Sequence, residues 1–321
     1  MSSYINGLHH VTSFASDPQR NVDFYAGILG LRMVKKTVNF DAPDVYHLYY
    51  GNEVGDPGTI LTFFPFNGIA KGRKGNGQVT VTSFSIPLNA LEYWMRRLDK
   101  FNVKYQTPVQ HFDDETSLYF EDYDGMGIEL VANDKDERPG FSYGQIPLEY
   151  AVKGFYSVTL GESRPDATIE LLTGQMNHAM LQEKGNRQRY TSTNKPGSFV
   201  DIITDTKALR GLGGAGTVHH VAFATPDDAT QFELREELLS KGLVNPTPVL
   251  DRQYFHSVYF REPGGVLFEV ATNDIGFTID EAKENLGESL KLPSWEEPNR
   301  LKIESGLTPI KIDLHKYMDN A

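Results

Sequence analysis

The chain has 321 residues, a formal net charge of −12 at pH 7, 39% hydrophobic residues and no cysteine. The lack of cysteine excludes disulfides, thiolate metal sites and cysteine nucleophiles, and the acidic balance without a Lys/Arg tract argues against nucleic acid and anionic membranes as partners. Length and hydrophobic content are typical of two domains with a sizeable core. No segment resembles an export signal or approaches the roughly 20 apolar residues of a membrane span, so we expect a cytoplasmic protein.

Four similar units follow one another along the chain. Each is predicted to contain a short strand, then a helix, then extended segments rich in Tyr, Phe, Val and Thr that Gly and Pro turns separate. The clearest strands cover residues 8–14 and 218–225, and the clearest helices cover 18–28, 91–101 and 228–239. This β-α-β-β-β order predicts an α+β fold. The predicted units and a C-terminal tail that fits no unit span residues 7–66, 78–134, 150–205, 217–274 and 275–321.

Internal repeats support this division. Residues 117–134 align with residues 257–274 at a constant offset of 140 without a gap, and seven positions are identical. At an offset of 210, the tripeptide at 9–11 matches the tripeptide at 219–221, since both read His-His-Val. Because the matches agree in register, chance explains them poorly. Equivalent positions of different units can therefore be compared.

The comparison shows where a set of metal ligands is complete. Two histidines and one glutamate on separate strands are the ligand set of a 2-His-1-carboxylate site, which leaves other positions of the metal open. Unit 4 carries His220 and Glu269, whereas unit 1 carries His10 and has Thr62 where Glu269 would align. A three-ligand site therefore needs units 1 and 4 together, and we predict that they pair as the catalytic half.

Units 2 and 3 lack such a set. Glu129 of unit 2 aligns with Glu269, but Val79 and Thr80 replace the histidine pair, and unit 3 offers Asp201 with no histidine at the equivalent position. We interpret Glu129 and Asp201 as former ligand positions without metal, and we expect units 2 and 3 to pair as a metal-free half. The histidines without a counterpart in the repeats are predicted to be structural, namely His47, His111, His178 and His315.

Strand geometry bears on which histidine of each pair is the ligand. Neighbouring residues of a strand point to opposite faces, so only one histidine of a pair is expected to enter a given cavity. His219 shares its face with Val221 and Phe223, whereas His220 shares its face with two alanines. Bulky apolar faces should pack under helices, and small or polar faces should line a cavity. The pattern favours His10 and His220 as ligands.

Several motifs occur in an order and spacing that resemble a known family. They include Leu8-His-His-Val-Thr12, Tyr46-His-Leu-Tyr-Tyr50, Lys71-Gly-Arg-Lys-Gly75 and Val218-His-His-Val221. The chain resembles the vicinal oxygen chelate superfamily, which includes glyoxalases, bleomycin-resistance proteins and extradiol ring-cleaving dioxygenases. The resemblance covers nearly the whole chain and is strongest to the branch that cleaves hydroquinone rings. It implies that the four units form two β-barrel-like domains.

The same resemblance implies roles for individual residues. In that branch the second histidine of each pair and the glutamate bind Fe(II), which implies His10, His220 and Glu269 as ligands, with Mn(II) as an alternative metal. Arg252 would stabilise a developing anion, and Tyr259 or a histidine beside the metal would move a proton. The residues implied around the ligands are His9, Thr12, His219, Arg252 and Tyr259. His256 departs from the chlorinated-substrate enzymes, which leaves the ring substituent open.

The predicted function is that of an Fe(II)-dependent ring-cleaving dioxygenase. Its partners would be O2 and a small aromatic substrate, a substituted hydroquinone or a catechol-like ring, and a homo-oligomer is left open. One alternative is a glyoxalase-type lyase or isomerase, which usually takes a fourth protein ligand, and Thr62 is a poor one. Another is a metal-free protein that sequesters a drug or quinone, although such proteins are usually shorter, with two units per chain.

Overall fold

The structure is a computed structural model that describes residues 3–319, so the last two residues of the predicted tail, 320 and 321, lie outside the described residues. In chain order, the strands are β1 (Leu8–Ala15), β2 (Arg32–Asn39), β3 (Ala42–Gly51), β4 (Ile60–Pro65), β5 (Gln78–Pro87), β6 (Thr116–Glu121), β7 (Gly127–Asn133), β8 (Gly154–Glu162), β9 (Ala179–Lys184), β10 (Arg187–Thr191), β11 (Phe199–Thr204), β12 (Val218–Thr225), β13 (Leu250–Asp251), β14 (His256–Arg261) and β15 (Leu267–Thr272).

Helices connect strands within each unit. The α-helices are α1 (Pro18–Val22), α2 (Leu91–Lys100), α3 (Asp166–Gly174), α4 (Asp228–Lys241) and α5 (Arg300–Gly306). The helix predicted over 18–28 is present but changes geometry, because α1 continues as a π-helix over Asp23–Ile28. Among residues 3–319, no helix is both long enough and apolar enough to cross a membrane.

Capping residues set the bounds of α4, which packs on the sheet that carries Glu269. The Asp227 side chain accepts a hydrogen bond from Thr230 N at 2.8 Å and so satisfies one of the free amides of the first turn. Gly242 ends the helix in the left-handed conformation, with φ +69°, which glycine adopts at little cost. Leu234 and Leu238 form the buried face of the helix.

The first sheet combines strands from the two ends of the chain. Its order is β13-β14-β15-β12-β1-β4-β3-β2. At its centre β1 pairs antiparallel with β12, and these two strands pair in parallel with β4 and β15, respectively. We call β1–β4 with β12–β15 the first sheet. It draws on the regions predicted as units 1 and 4.

The second sheet, β5–β11, repeats this arrangement with strands from the middle of the chain. Its order is β6-β7-β5-β8-β11-β10-β9, with β5 and β8 antiparallel at the centre. Main-chain hydrogen bonds link the two sheets, from Leu8 N to Gly197 O and from Phe155 N to Gly58 O, each 2.8 Å. The molecule is therefore an α+β protein with two barrel-like domains, which confirms the predicted fold class.

The C-terminal tail packs on the edge of the first sheet. Lys291 N donates to the carbonyl of Lys36 in β2 at 2.9 Å, so the tail runs alongside the edge strand. At Gly287, where φ is +79°, a Cβ atom would lie 2.2 Å from Met33 O, so this close approach requires glycine. Apolar side chains of the tail are buried, among them Phe277, Leu286, Ile303 and Tyr317.

Candidate metal centre

Three side chains from the central strands of the first sheet converge. In the register of these strands, Ala222 on β12 lies opposite His10 on β1 and opposite Glu269 on β15. Directly paired residues project to the same face, and His220 joins that face because it lies two positions from Ala222. The small side chain of Ala222 leaves room between the flanking groups. The strand pairing therefore brings His10, His220 and Glu269 together.

The ligand-type atoms of this triad form a nearly equilateral triangle. His10 Nε2 lies 3.1 Å from His220 Nε2, and Glu269 Oε2 lies 3.2 Å from His10 Nε2 and 2.9 Å from His220 Nε2. All three residues are buried. Glu269 Oε2 has no hydrogen-bond partner although it is buried, and such an atom is costly unless a proton or a cation satisfies it. The triad could hold a metal ion.

The other carboxylate oxygen of Glu269 is fixed by a residue that the sequence analysis missed. Ser257 Oγ on β14 donates to Glu269 Oε1 at 2.5 Å. Burial would raise the pKa of Glu269, but attraction to His10 and His220 lowers it well below its ordinary value. The carboxylate is therefore charged. A signal was present in the sequence, because the repeat contains a serine at 117 and again at 257.

The first histidine of each pair orients the second. His9 Nδ1 lies 2.9 Å from His10 Nδ1, and His219 Nδ1 lies 2.7 Å from His220 Nδ1. Burial, followed by the charge of the adjacent histidine, lowers the pKa of His9 and of His219 to about 3, so both rings are neutral. A neutral His9 or His219 can accept at Nδ1 a hydrogen bond from the Nδ1–H of its neighbour. That arrangement leaves the Nε2 lone pairs of His10 and His220 free for a metal.

A cavity of about 460 Å³ opens beside the triad. Histidines, aromatic rings and a few polar groups line it, and they include His10, Phe14, Phe40, His47, Tyr49, Phe64, Phe66, His219, His220, Arg252, Phe255, Tyr259 and Leu267. This volume and this apolar wall with a few convergent polar groups are typical of sites for small organic ligands.

Arg252 and Tyr259 lie together in the cavity wall. The Arg252 guanidinium lies over the Tyr259 ring at 5.3 Å, and the Tyr259 ring is 5.7 Å from the His220 ring. Arg252 also lies 3.6 Å from Asp41, a weak contact with an exposed carboxylate. Arg252 Nε is buried without a partner. Burial and the charge of Glu269 raise the pKa of Tyr259, which keeps its hydroxyl protonated. A positive charge and a proton donor thus face the cavity.

His47, which was predicted to be structural, lines the cavity. Its Nε2 lies 2.9 Å from Thr62 Oγ1, and its Nδ1 lies 2.8 Å from Tyr49 Oη. Thr62 Oγ1 in turn lies 2.8 Å from Thr12 Oγ1. Burial, then the charges of the triad histidines, lower the pKa of His47 well below its ordinary value. The signal for His47 was its position two residues before Tyr49, because Tyr49 lies opposite Thr62, the position equivalent to Glu269.

The remaining residues singled out from the sequence lie elsewhere. His256 Nδ1 contacts Asp228 Oδ1 at 2.6 Å at the start of α4. His111 Nε2 contacts Glu129 Oε1 at 2.8 Å, and Asp201 pairs with arginines of β10, so these two acidic groups have protein partners. His178 Nδ1 lies 2.7 Å from the carbonyl of Met176, and His315 lines a separate cavity at the tail.

Known proteins are similar to this chain in both sequence and fold. The family model described as the Glyoxalase/Bleomycin resistance protein/Dioxygenase superfamily matches residues 7–130. "Putative ring-cleaving dioxygenase MhqO" of Bacillus subtilis (strain 168) is 45% identical over 97% of this chain and 99% of its own length. The chain belongs to the glyoxalase, bleomycin resistance protein and dioxygenase superfamily.

Two further relatives refine this membership. The chlorohydroquinone/hydroquinone 1,2-dioxygenase of Sphingobium indicum is 36% identical over 90% of this chain and 91% of its own length. The crystal structure of a putative dioxygenase from Bacillus subtilis subsp. subtilis str. 168 superposes with a TM-score of 0.93 at 44% identity, covering 97% of this chain and 99% of that one. Within the superfamily the chain is an enzyme of the ring-cleaving dioxygenase class, which confirms that prediction.

Proposed function

We propose that this protein is an Fe(II)-dependent dioxygenase that uses O2 to open the ring of a substituted hydroquinone or a catechol-like aromatic. One observation carries the proposal. Glu269 Oε2 is buried, has no hydrogen-bond partner, and lies about 3 Å from two imidazole nitrogens. The relative from Sphingobium indicum, named for activity on hydroquinones, supports the choice of substrate class.

The donor atoms fit a metal with open positions. Three ligands at right angles and about 2.0–2.2 Å from one ion are separated by about 3.0 Å, whereas tetrahedral ligands are separated by about 3.4 Å. The three separations here are 3.1, 3.2 and 2.9 Å, which match the right-angled arrangement. Two histidines and one carboxylate on one face are typical of Fe(II) oxygenases, and Mn(II) accepts similar ligands. We therefore infer His10, His220 and Glu269 as the ligands.

The domain arrangement belongs to this proposal. We infer that residues 7–66 and 217–274 form the catalytic half, because β1, β12 and β15 of the first sheet carry the triad. Residues 78–134 and 150–205 would form the metal-free half.

An Fe(II) ion bound at the triad would hold the substrate and O2 side by side and let electrons pass between them. The chain supplies the rest of the site. Arg252 places a positive charge beside the cavity, which favours a phenolate over a neutral phenol and stabilises negative charge that develops on the opening ring. Tyr259 keeps its proton and can donate it to a nearby oxygen. Aromatic side chains such as Phe14 and Phe64 hold the ring and exclude water.

The glyoxalase-type alternative finds less support. Those sites usually take a fourth protein ligand, and the equivalent position holds Thr62. The Thr62 hydroxyl is engaged by Thr12 and His47 at 2.8 and 2.9 Å. This hydroxyl therefore serves the hydrogen-bonded wall of the cavity.

The test is anaerobic reconstitution with Fe(II) followed by oxygen-electrode measurements. Hydroquinone and methylhydroquinone should each consume one O2 per ring opened, and the product should absorb as a conjugated open-chain acid. Protein loaded with Zn(II), which has no redox chemistry, is the matched control and should consume none. Iron-loaded protein that binds hydroquinones without taking up oxygen would contradict the proposal, and so would equal turnover by the Zn(II) form.

A further inference from the structure

The loop that carries Arg252, residues 251–255, has a strained backbone. Arg252 N donates to the carbonyl of Phe255 at 3.0 Å, and Tyr254 N donates to the carbonyl of Arg252 at 2.8 Å. Between them Gln253 adopts φ +68°, a left-handed conformation that costs a non-glycine residue free energy. We call residues 251–255 the Arg252 loop. A conformation of this kind persists only when neighbouring groups hold it in place.

Asp280 of the tail supplies such a hold. Its Oδ2 accepts hydrogen bonds from Gln253 Nε2 at 2.9 Å and from Tyr254 Oη at 3.1 Å, so it contacts two consecutive side chains of the Arg252 loop. Its Oδ1 pairs at 2.5 Å with Nζ of Lys35, which is fully buried on β2. Lys35 pairs equally closely with Glu281. Asp280 thus joins the loop to the edge of the first sheet through a buried cation.

The same stretch of the tail holds the loop by packing. Gly276 N donates to the carbonyl of Tyr254 at 2.9 Å, and the Phe277 and Tyr254 rings lie 4.9 Å apart. At the end of the loop, the Phe255 ring contacts the rings of His9 and His10 at 4.9 and 5.0 Å. The contacts therefore run from the tail through the loop to the triad.

We propose that Asp280 is a positioning residue, and that it fixes the Arg252 loop so that the guanidinium faces the cavity over Tyr259. This inference rests on the proposed function, because it assigns the tail a role in that reaction. It makes the tail part of the active site, although no tail residue has a counterpart in the repeats. Asp280 acts through Arg252, because its side chain contacts the loop and Lys35 and does not line the cavity.

Asp280→Asn is the direct test, because it removes the charge and keeps the size of the side chain. Lys35 retains Glu281 as its partner, so no buried charge is left alone. We expect unchanged iron content and a kcat about tenfold lower or more, with a smaller change in KM, since misplacing a catalytic group by a fraction of an ångström is costly. Glu284→Gln removes the same charge from an exposed tail position and should leave kcat unchanged. Tyr254→Phe removes one of the two contacts and should have an intermediate effect.

A double-mutant cycle with Arg252 separates positioning from a general structural role. In an Arg252→Ala background, Asp280→Asn should lower kcat less than twofold. A further tenfold loss in that background would overturn the proposal, as would an unchanged kcat for Asp280→Asn alone.

Hydrogen–deuterium exchange gives a readout that does not depend on turnover. Peptides that cover residues 251–256 should exchange faster in Asp280→Asn than in the wild type or in Glu284→Gln. If the wild-type protein takes up no oxygen, the proposed function fails. The exchange measurement then still tests whether Asp280 restrains the Arg252 loop. Identical exchange in all three proteins would refute that hold.

Discussion

The two sheets share one strand arrangement but differ in the partners of their buried carboxylates. In the first sheet Ala222 lies opposite His10 and Glu269. In the second sheet Ser83 lies opposite Ser157 and Glu129. The register therefore makes Ser157 the counterpart of His10, and Glu129 the counterpart of Glu269. The second sheet keeps the acidic position and lacks the histidine beside it.

The second sheet satisfies its carboxylates with its own side chains. Arg189 contacts Asp201 at 2.7 and 2.9 Å and Glu115 at 2.6 and 3.1 Å, and all three residues are buried. Glu129 contacts His111 and Ser83 at 2.8 and 3.0 Å. In the first sheet Glu269 Oε2 has no such partner. The difference between the sheets is therefore that Glu269 keeps one buried oxygen without a protein partner, which is the feature that points to a metal.

The largest expected difference is between the replacements of two equivalent glutamates, Glu269 and Glu129. Glu269→Gln removes the negative ligand and should abolish both iron binding and oxygen uptake. Glu129→Gln is the matched change in the second sheet and should leave both unchanged, since Glu129 contacts only protein groups. Iron analysis of the purified variants and an oxygen electrode measure the two effects. Equal iron content in the two variants would remove the distinction between the sheets.

Arg189→Met should destabilise the second sheet. The change leaves Glu115 without its arginine and weakens the pairing of Asp201. Removing one partner of a buried ion pair lowers the free energy of unfolding by about 3–5 kcal/mol. Urea unfolding should show this loss in the free energy of unfolding, while iron per folded chain stays the same. Arg300→Met removes a partly exposed arginine from surface ion pairs and should change the stability little. If Arg189→Met lost iron at full stability, the second sheet would have a part in metal binding.

Arg252→Ala should separate catalysis from metal binding. The protein should keep its iron and lose about 2–4 kcal/mol of transition-state stabilisation, the range for one anion-stabilising donor. Steady-state kinetics on hydroquinones give this value from kcat/KM. Arg252→Lys keeps the charge and should lose less. Unchanged kcat and KM in Arg252→Ala would show that Arg252 has no catalytic role.

The smallest expected effect concerns pH. Burial and the charge of His10 lower the pKa of His9 from 6.5 to about 3. The His9 ring therefore binds a proton more readily in the unfolded chain than in the folded one. The stability that His9 contributes is therefore present above pH 6.5 and is lost as the pH falls from 6.5 towards 3. His9→Gln should reduce the slope of unfolding free energy against pH in this window by up to about 1.4 kcal/mol per unit. Urea midpoints at pH 4.5–6 measure the slope, and an unchanged slope would contradict the neutral His9.

Much of the fold could be predicted because the units repeat. The repeats indicate which positions are equivalent, and strand periodicity indicates which face each residue shares, so the three candidate ligands could be named before their contacts were known. His47, Ser257 and Asp280 could not be placed in this way. His47 and Ser257 reach the site through side-chain hydrogen bonds to Thr62 and Glu269 on the next strand of the chain, and Asp280 lies in a tail without any repeat to compare. Such contacts depend on packing, which periodicity does not describe.

The central claim is that one metal ion binds in the first sheet and none in the second. Anomalous diffraction at the iron edge, from crystals reconstituted anaerobically with Fe(II), tests it most directly. We expect one peak per chain, about 2.0–2.2 Å from the Nε2 atoms of His10 and His220 and from Glu269 Oε2. A peak beside Glu129 or Asp201, or no peak at the triad in iron-replete crystals, would contradict it.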